Sequence, residues 1–278
     1  MDKNTFDLLV NYLNTGVLTK ELLSLGYDSK EKVEEALEPY KVKRAIIMAA
    51  GFGSRMVPIT YSTPKPLVKV NGVRFIDTLL SHLVDIGIKD IIIVRGYLKE
   101  KFDELLEEYP FIKFIDNDLY NKENNISSAI KAVDYIDNTY ICEADFFVTG
   151  NDVLTKYQYE SNYIGTRVDE TDDWCFDVDK DDVISNYRKG GKHCVQAFGI
   201  SYWNKESGLK LQKYLKEMYL TPENKQKFWE MCIFEDYKDK FIVKCRYVKK
   251  DSIVEIDSFD ELVELDPSYK NMKWLWNS

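Results

Sequence analysis

Arg44-Ala45-Ile46-Ile47-Met48-Ala49-Ala50-Gly51-Phe52-Gly53-Ser54-Arg55 decides how the rest of the chain is read. Its opening residues form an apolar run of strand length, so the glycines fall where a buried strand ends and a loop begins. Open α/β sheets bind their ligands at such strand ends. Two glycines one residue apart let backbone N–H groups approach phosphate oxygens without a Cβ in the way, and Arg55 adds a forked, permanently charged donor set. Lys65 lies between Pro64 and Pro66 and supplies a compact point charge from a stiffened loop. Ala49, Ala50, Gly51, Gly53, Ser54, Arg55 and Lys65 are therefore expected to cradle a nucleoside triphosphate. No Gly-Lys-Ser/Thr is present, and Met56 stands where a dinucleotide fingerprint needs its third glycine, which disfavours a P-loop ATPase or a dehydrogenase. The competing reading is an ordinary glycine-rich turn from strand to helix.

The chain has 278 residues, 45% of them hydrophobic and 14% aromatic, enough to build a core. A net charge of −9 argues against general affinity for nucleic acid or a membrane surface, since both need a basic face. No apolar run reaches the roughly 18 to 20 residues of a membrane span, and no signal-peptide core follows Met1, so a cytoplasmic location without membrane insertion is expected. Cys142, Cys175, Cys194, Cys232 and Cys245 lack disulfide or zinc spacing and are expected to be reduced and mostly buried. With only His82 and His193 available, histidine-based catalysis is disfavoured and any metal should be a hard cation on carboxylates. His82 has the spacing of a surface position on a helix.

Residues 1 to 43 predict three short helices, about Thr5 to Leu13, Thr19 to Leu25 and Ser29 to Leu37, as an appendage with the outline of a winged-helix core. This segment carries six lysines against eight Asp and Glu residues and no arginine, which speaks against DNA binding. From residue 44 to 278 a second unit is expected. Strands are predicted at Ala45 to Ala49, Ile91 to Val94, Ile112 to Ile115 and Tyr140 to Cys142. Helices are predicted near Phe75 to Ile86, Lys99 to Glu108 and Ile126 to Tyr135, giving a doubly wound α/β sheet. Beyond Asp145 come short β patterns at Asn162 to Val168, Trp174 to Val178, Ala197 to Tyr202 and Ile242 to Val248. Helices near Ser207 to Met218, Glu223 to Phe234 and Phe259 to Leu265 complete a mixed sheet. Met272-Lys273-Trp274-Leu275-Trp276 is apolar for a tail and could dock on the body.

Two acidic motifs stand after strand-like runs: Glu143-Ala144-Asp145 and Glu255-Ile256-Asp257. Each places a carboxylate at a strand's end, where Asp145 and Asp257 either hold a cation or cap the next helix or turn. Asn124-Asn125-Ile126-Ser127-Ser128 opens a predicted helix and suits capping in any case. Gly96-Tyr97 follows the second strand.

The whole stretch AAGFGSRMVPITYSTPKP resembles the signature of the nucleotidyltransferases, which join a nucleoside triphosphate to a phosphorylated small molecule and release pyrophosphate. Within that superfamily the sugar-nucleotide pyrophosphorylases generally carry Gly-Asp where this chain has Ala144-Asp145, together with a Glu-Lys-Pro loop that is absent here. Gly96-Tyr97-Leu98-Lys99-Glu100, Asp172-Asp173-Trp174-Cys175-Phe176, Arg188-Lys189-Gly190-Gly191-Lys192, Gly199-Ile200-Ser201-Tyr202-Trp203 and Val254-Glu255-Ile256-Asp257-Ser258 resemble instead the bacterial choline-phosphate cytidylyltransferases. The likeness runs from residue 44 to about 267, with Met56-Val57 a mild departure. It implies a Rossmann-like nucleotidyltransferase fold, CTP and phosphocholine as substrates, and Mg²⁺ on Asp145 and Asp257. It further implies that Arg55, Lys65 and Lys189 act on the phosphates, and that Asn125, Ser127 and Ser128, with Tyr97 less strongly, lie beside the base. For a quaternary ammonium, an aromatic face next to carboxylates is the fitting receptor, which singles out Trp174 with Asp173. Tyr202 and Trp203 are expected to complete the box, and Lys189 or Lys192 to hold the phosphate of phosphocholine. A sugar-1-phosphate nucleotidyltransferase and an inactive nucleotide-binding regulator with a helical DNA-binding head are the rival readings.

Overall fold

The computed structural model describes residues 1–270, so Met272 to Trp276 lie outside the described residues. Its centre is β1 (Arg44–Ala49), flanked in parallel by β4 (Asp90–Arg95) and β6 (Thr139–Glu143). An unbroken apolar run fits a strand covered on both faces. Alternate residues of β1 feed two different cores. Ala45, Ile47 and Ala49 face α4 (Phe75–Asp85) through Ile76, Leu79 and Leu83. Ile46 and Met48 face α5 (Ile126–Lys131) and α6 (Lys205–Tyr219) through Ala129, Leu211 and Leu215.

Between β1 and β4 lies a small hairpin, β2 (Lys69–Val70) with β3 (Val73–Arg74). The main sheet has seven strands. After β4 and β5 (Lys113–Asp116) at one edge, the other side is built from β8 (Asn162–Val178), β9 (Ile184–Trp203) and β10 (Lys244–Tyr247), in the order β10-β8-β9-β6-β1-β4-β5. The pairings β6–β9 and β8–β9 are antiparallel, so the sheet is mixed. A two-stranded sheet of β7 (Phe146–Val148) and β11 (Ile253–Glu255) brings two distant acidic motifs together, and α7 (Phe259–Leu265) follows.

Predicted and observed elements agree closely in the first half. The predicted strands at 162 to 168 and 174 to 178 are one long strand, whose register shifts between Thr171 and Trp174. Its partner bends at Gly190 and His193, both at positive φ (74° and 50°), so Cys175 and Phe176 have β9 neighbours on both sides. The predicted helix at 223 to 234 is not formed. A 3₁₀ turn (Pro222–Gln226) and a π turn (Cys232–Asp236) replace it, because backbone groups there bond to Asn124 and Asn125. Lys99–Glu107 winds as 3₁₀, and the helix after Asn125 stops at Lys131.

At the N-terminus, α1 (Lys3–Thr15), α2 (Lys20–Ser24) and α3 (Lys30–Leu37) are capped by Asp2, Thr19 and Ser29. They bury Phe6, Leu9, Leu22, Val33 and Leu37 around Tyr157. Lysines 3, 30 and 32 pair with acids of their own segment. All five cysteines are buried and free. His82 sits half-buried on α4, its Nδ1 2.7 Å from the Thr78 carbonyl. Among the described residues no helix is long and apolar enough to cross a membrane.

Candidate active site

Beyond Ala49 the chain doubles back so tightly that a Cβ on Gly53 would lie 2.9 Å from Cβ of Lys65 and 3.1 Å from Cγ2 of Thr60. Gly53 also has a φ of 61°, so both space and backbone select glycine. The Thr60 hydroxyl donates to the Gly53 carbonyl at 3.0 Å and ties the loop to the turn that carries Lys65. Lys65 is only 4% exposed, an unusual state for a lysine unless it is paired. Its Nζ lies 3.0 Å from Asp257 Oδ1 and 3.3 Å from Asp145 Oδ2. Burial disfavours the ammonium, but the two carboxylates outweigh it and hold its pKa above the ordinary lysine value. Arg55 Nη1 reaches Asp257 Oδ2 at 2.7 Å from a side chain that is 68% exposed.

Asp257 does not cap α7. Ser258 does, accepting from the Glu261 amide, while Glu261 closes a capping box from the other side. The Asp257 carboxylate is left to face Lys65 and Arg55. Asp173, Glu255 and Asp257 form an acidic group whose oxygens lie within 4.8 Å of one another. Burial, then the charges of Asp257 and Asp173, push Glu255 up to about 8 against the opposing pull of Lys65. Negative charge is thus in excess beside Lys65.

These groups open onto a cavity of about 590 Å³. One end is lined by Ala49, Ala50, Gly51, Gly53, Arg55 and Lys65, with Asn125, Ser127 and Ser128 from the start of α5. Asn117, buried at the end of β5, donates to both serine hydroxyls at 2.9 and 3.0 Å. The rest of the lining includes Trp174, Lys189 and Phe228, with Asp173 bridging back to Asp257 within 4.8 Å. Trp174 stacks on Tyr187 (centroids 4.6 Å, 21°) and meets the edge of Phe228 (5.4 Å, 70°), while Lys189 is its neighbour across the strands. Glu143 also lines the cavity. Behind it Glu230 is 2% exposed, with one carboxylate oxygen that has no hydrogen-bond partner. Burial raises both carboxyls, Glu230 to about 7, and the charge of Glu230 pushes Glu143 up further.

Several expected site residues are not part of the cavity lining. Tyr202 is fully buried on the opposite face of the β6–β9 pair, 5.7 Å from the Tyr140 ring, with its hydroxyl 3.3 Å from Asn138 Oδ1. Trp203 is equally buried, its indole N–H bonded to Ser201, so neither completes an aromatic box. Lys192 sits beyond the Gly190 bend and pairs with Glu170 in solvent. Tyr97 braces the glycine loop from behind, donating to the Thr60 carbonyl and packing on Phe52. Ser54 begins the 3₁₀ turn after Gly53 and likewise is not in the wall. Sequence reading missed Asn117, Tyr187, Phe228 and Glu230, which carry no local signature. Glu143 and Glu255 stood inside the quoted acidic motifs, each two residues before the aspartate that drew attention.

A 2-aminoethylphosphonate cytidylyltransferase from Lancefieldella rimae is 36% identical over 228 residues, which cover 81% of this chain and 92% of that protein. The choline-phosphate cytidylyltransferase of Streptococcus pneumoniae is 32% identical over 82% of this chain and 99% of its own length. This chain belongs to the cytidylyltransferases. The general nucleotidyl transferase family model matches residues 44–177. A solved structure of CTP:phosphocholine cytidylyltransferase from Streptococcus pneumoniae matches the fold with a TM-score of 0.76 at 31% identity, covering 82% of this chain and 99% of that one. The family makes this an enzyme of nucleotidyl transfer, and its relatives differ in the acceptor.

Proposed function

We propose that the chain transfers CMP from CTP to phosphocholine, giving CDP-choline and pyrophosphate, with Mg²⁺ as cofactor. The observation that carries this reading is that one cavity is lined both by buried Lys65, between two aspartates, and by Trp174 and Phe228 with several acids. The two ends suit the two halves of such a reaction. A phosphate-handling end needs fixed cations and backbone donors, and an ammonium-handling end needs π faces and negative charge.

In this reading a phosphocholine oxygen attacks the α-phosphorus of CTP in line. The new P–O bond forms as the α–β bond breaks, and the bonding pair leaves with pyrophosphate. A phosphomonoester with a second pKa near 6 is largely dianionic at pH 7, so no side chain must remove a proton. This agrees with the placement of His82 and His193 outside the cavity lining. Lys65 and the loop N–H groups neutralise and orient the triphosphate, Arg55 meets its outer phosphates, and Lys189 steadies the phosphate of the acceptor. Asn117, through Ser127 and Ser128, shapes the wall beside the base. The carboxylate cluster of Asp173, Glu255 and Asp257 fits a hard divalent cation; Asp257 and, across Lys65 from it, Asp145 are proposed as its holders. Such an ion supplies charge neutralisation at the reacting phosphates. Residues 1 to 43 are taken as an appendage to the catalytic unit, which works on small soluble substrates in the cytoplasm.

A second acceptor, 2-aminoethylphosphonate, is favoured by the 36% identical relative and by the pocket itself. One face of Trp174 is already covered by Tyr187, while Asp173, Glu255 and Glu143 offer acceptors for the three N–H bonds of a primary ammonium. Trp174→Ala tests the acceptor end. A cation over an indole is worth about 0.5 to 2 kcal/mol, so the acceptor KM is expected to rise about two- to thirtyfold with the CTP KM near its parent value. An unchanged acceptor KM in a folded variant would remove Trp174 from the ammonium site.

A further inference from the structure

Asn125 occupies the N-cap position of α5, yet its side chain caps nothing there. Both ends of its amide are spent elsewhere. Its Oδ1 accepts the backbone N–H of Trp229 at 2.9 Å, and its Nδ2 donates toward Glu143 Oε1 at 3.4 Å. Its backbone is already helical (φ −59°, ψ −17°), which takes the side chain out of capping geometry and leaves it to tertiary partners. Trp229 lies between Phe228, the edge partner of Trp174, and Glu230, the buried carboxylate behind Glu143.

The neighbouring residues reinforce the same contact. The Asn124 amide N–H donates to the Lys225 carbonyl at 2.9 Å and its side chain to Gln226 at 3.1 Å, while Gln226 Nε2 returns a bond to Lys122 at 2.9 Å. Tyr219 donates to Glu123 at 2.6 Å. Residues 222 to 236 form only short 3₁₀ and π turns, so this stretch has little regular structure of its own to fix Phe228. Of these bonds, the one from Trp229 to Asn125 holds the residue next to Phe228.

We infer that Asn125 is a positioning residue for the acceptor, latching the Phe228–Glu230 wall to the turn that carries Ser127 and Ser128. The inference rests on the proposed reading of the two cavity ends. It differs from the expectation drawn from sequence, in which Asn125 reads the base. The amide keeps one N–H and one lone pair, so the latch rests on the bonds to Trp229 and Glu143, and the CTP KM decides whether Asn125 also meets the base.

The test combines kinetics with amide exchange on Asn125→Ala, Asn125→Ser and Asn125→Asp. Losing a bond to a buried amide should raise the acceptor KM roughly five- to fiftyfold in the first two variants, with the CTP KM within about twofold of the parent. The Trp229 amide should exchange faster in both, while Asn125→Asp, which keeps an oxygen in place, should retain most of the protection. Serine caps helices well, so Asn125→Ser keeps the test alive if the alanine variant fails to fold. A raised CTP KM with an unchanged acceptor KM and a protected Trp229 amide would overturn the latch. If the parent turns over no ammonium acceptor, the functional reading falls, and the exchange result alone still decides whether Asn125 holds the wall.

Discussion

The two ends of the cavity are built differently. The proposed triphosphate end hangs on the carboxyl edges of parallel, fully covered strands: residues 50 to 55 follow β1, and Asp145 follows β6. Its charges are locked, with Lys65 buried between carboxylates. The proposed acceptor end is assembled from a bent antiparallel pair, an irregular stretch and the edge of a two-stranded sheet, which contribute Trp174, Phe228 and Glu255. Strands of the main sheet place most of the first end, with Asp257 after β11 as the exception, while side-chain latches fix the second. A family can keep the first and vary the second, which agrees with relatives that share cytidylyl transfer and differ in the acceptor named.

If this division holds, damage to the triphosphate end should depress turnover with every acceptor. The largest effect is expected from Asp145→Asn and Asp257→Asn, which should abolish Mg²⁺-dependent turnover because an amide keeps the shape and loses the charge. Calorimetry of Mg²⁺·CTP binding checks this, and parent-like binding and turnover in both variants would move the metal elsewhere. Lys65→Ala should follow, with kcat/KM lower by about 10² to 10³. Near-normal pyrophosphate release would remove the lysine from the chemistry. Arg55 is 68% exposed, so its charge is screened and Arg55→Ala should cost only about tenfold. A loss equal to that of Lys65 would mean that the loop closes over the nucleotide and buries the arginine.

The smallest effect concerns stability and belongs to the acceptor end. Burial holds Glu230 near 7, above the ordinary 4.5, and Glu143 beside it is raised as well. Between those values the folded protein keeps a proton that the unfolded chain has lost, so stability drains away as pH rises through this window. Glu230→Gln should flatten the fall in Tm between pH 5 and 8 by a few degrees. An unchanged pH slope would mean that Glu230 is ionised in the folded protein with a counter-ion nearby.

The same division explains what could be read from the sequence. The glycine loop, Lys65 and the aspartates are legible because each is a local pattern at the end of an apolar run, and β1, β4 and β6 fall where their residues predict. Tyr202 was misplaced because alternation along β9 decides which face a side chain takes, and its ring turns into the α4 side of the core. Lys192 was misplaced because the bend at Gly190 and His193 carries it away from Lys189. Phe228 and Glu230 lay in a predicted helix that Asn124 and Asn125 prevent by capturing its backbone from about 100 residues away. No window of sequence contains that interaction.

Pyrophosphate release from CTP, UTP and dTTP, with phosphocholine, 2-aminoethylphosphonate and glucose 1-phosphate as acceptors, tests the two-ended cavity most directly. Turnover is expected with CTP, confined to the ammonium-bearing acceptors and led by phosphocholine. A lead for 2-aminoethylphosphonate would keep the two-ended cavity and replace the acceptor. Preference for glucose 1-phosphate would contradict the assignment of Trp174, Phe228 and their surrounding acids to an ammonium group, and equal use of UTP or dTTP would contradict the choice of CTP.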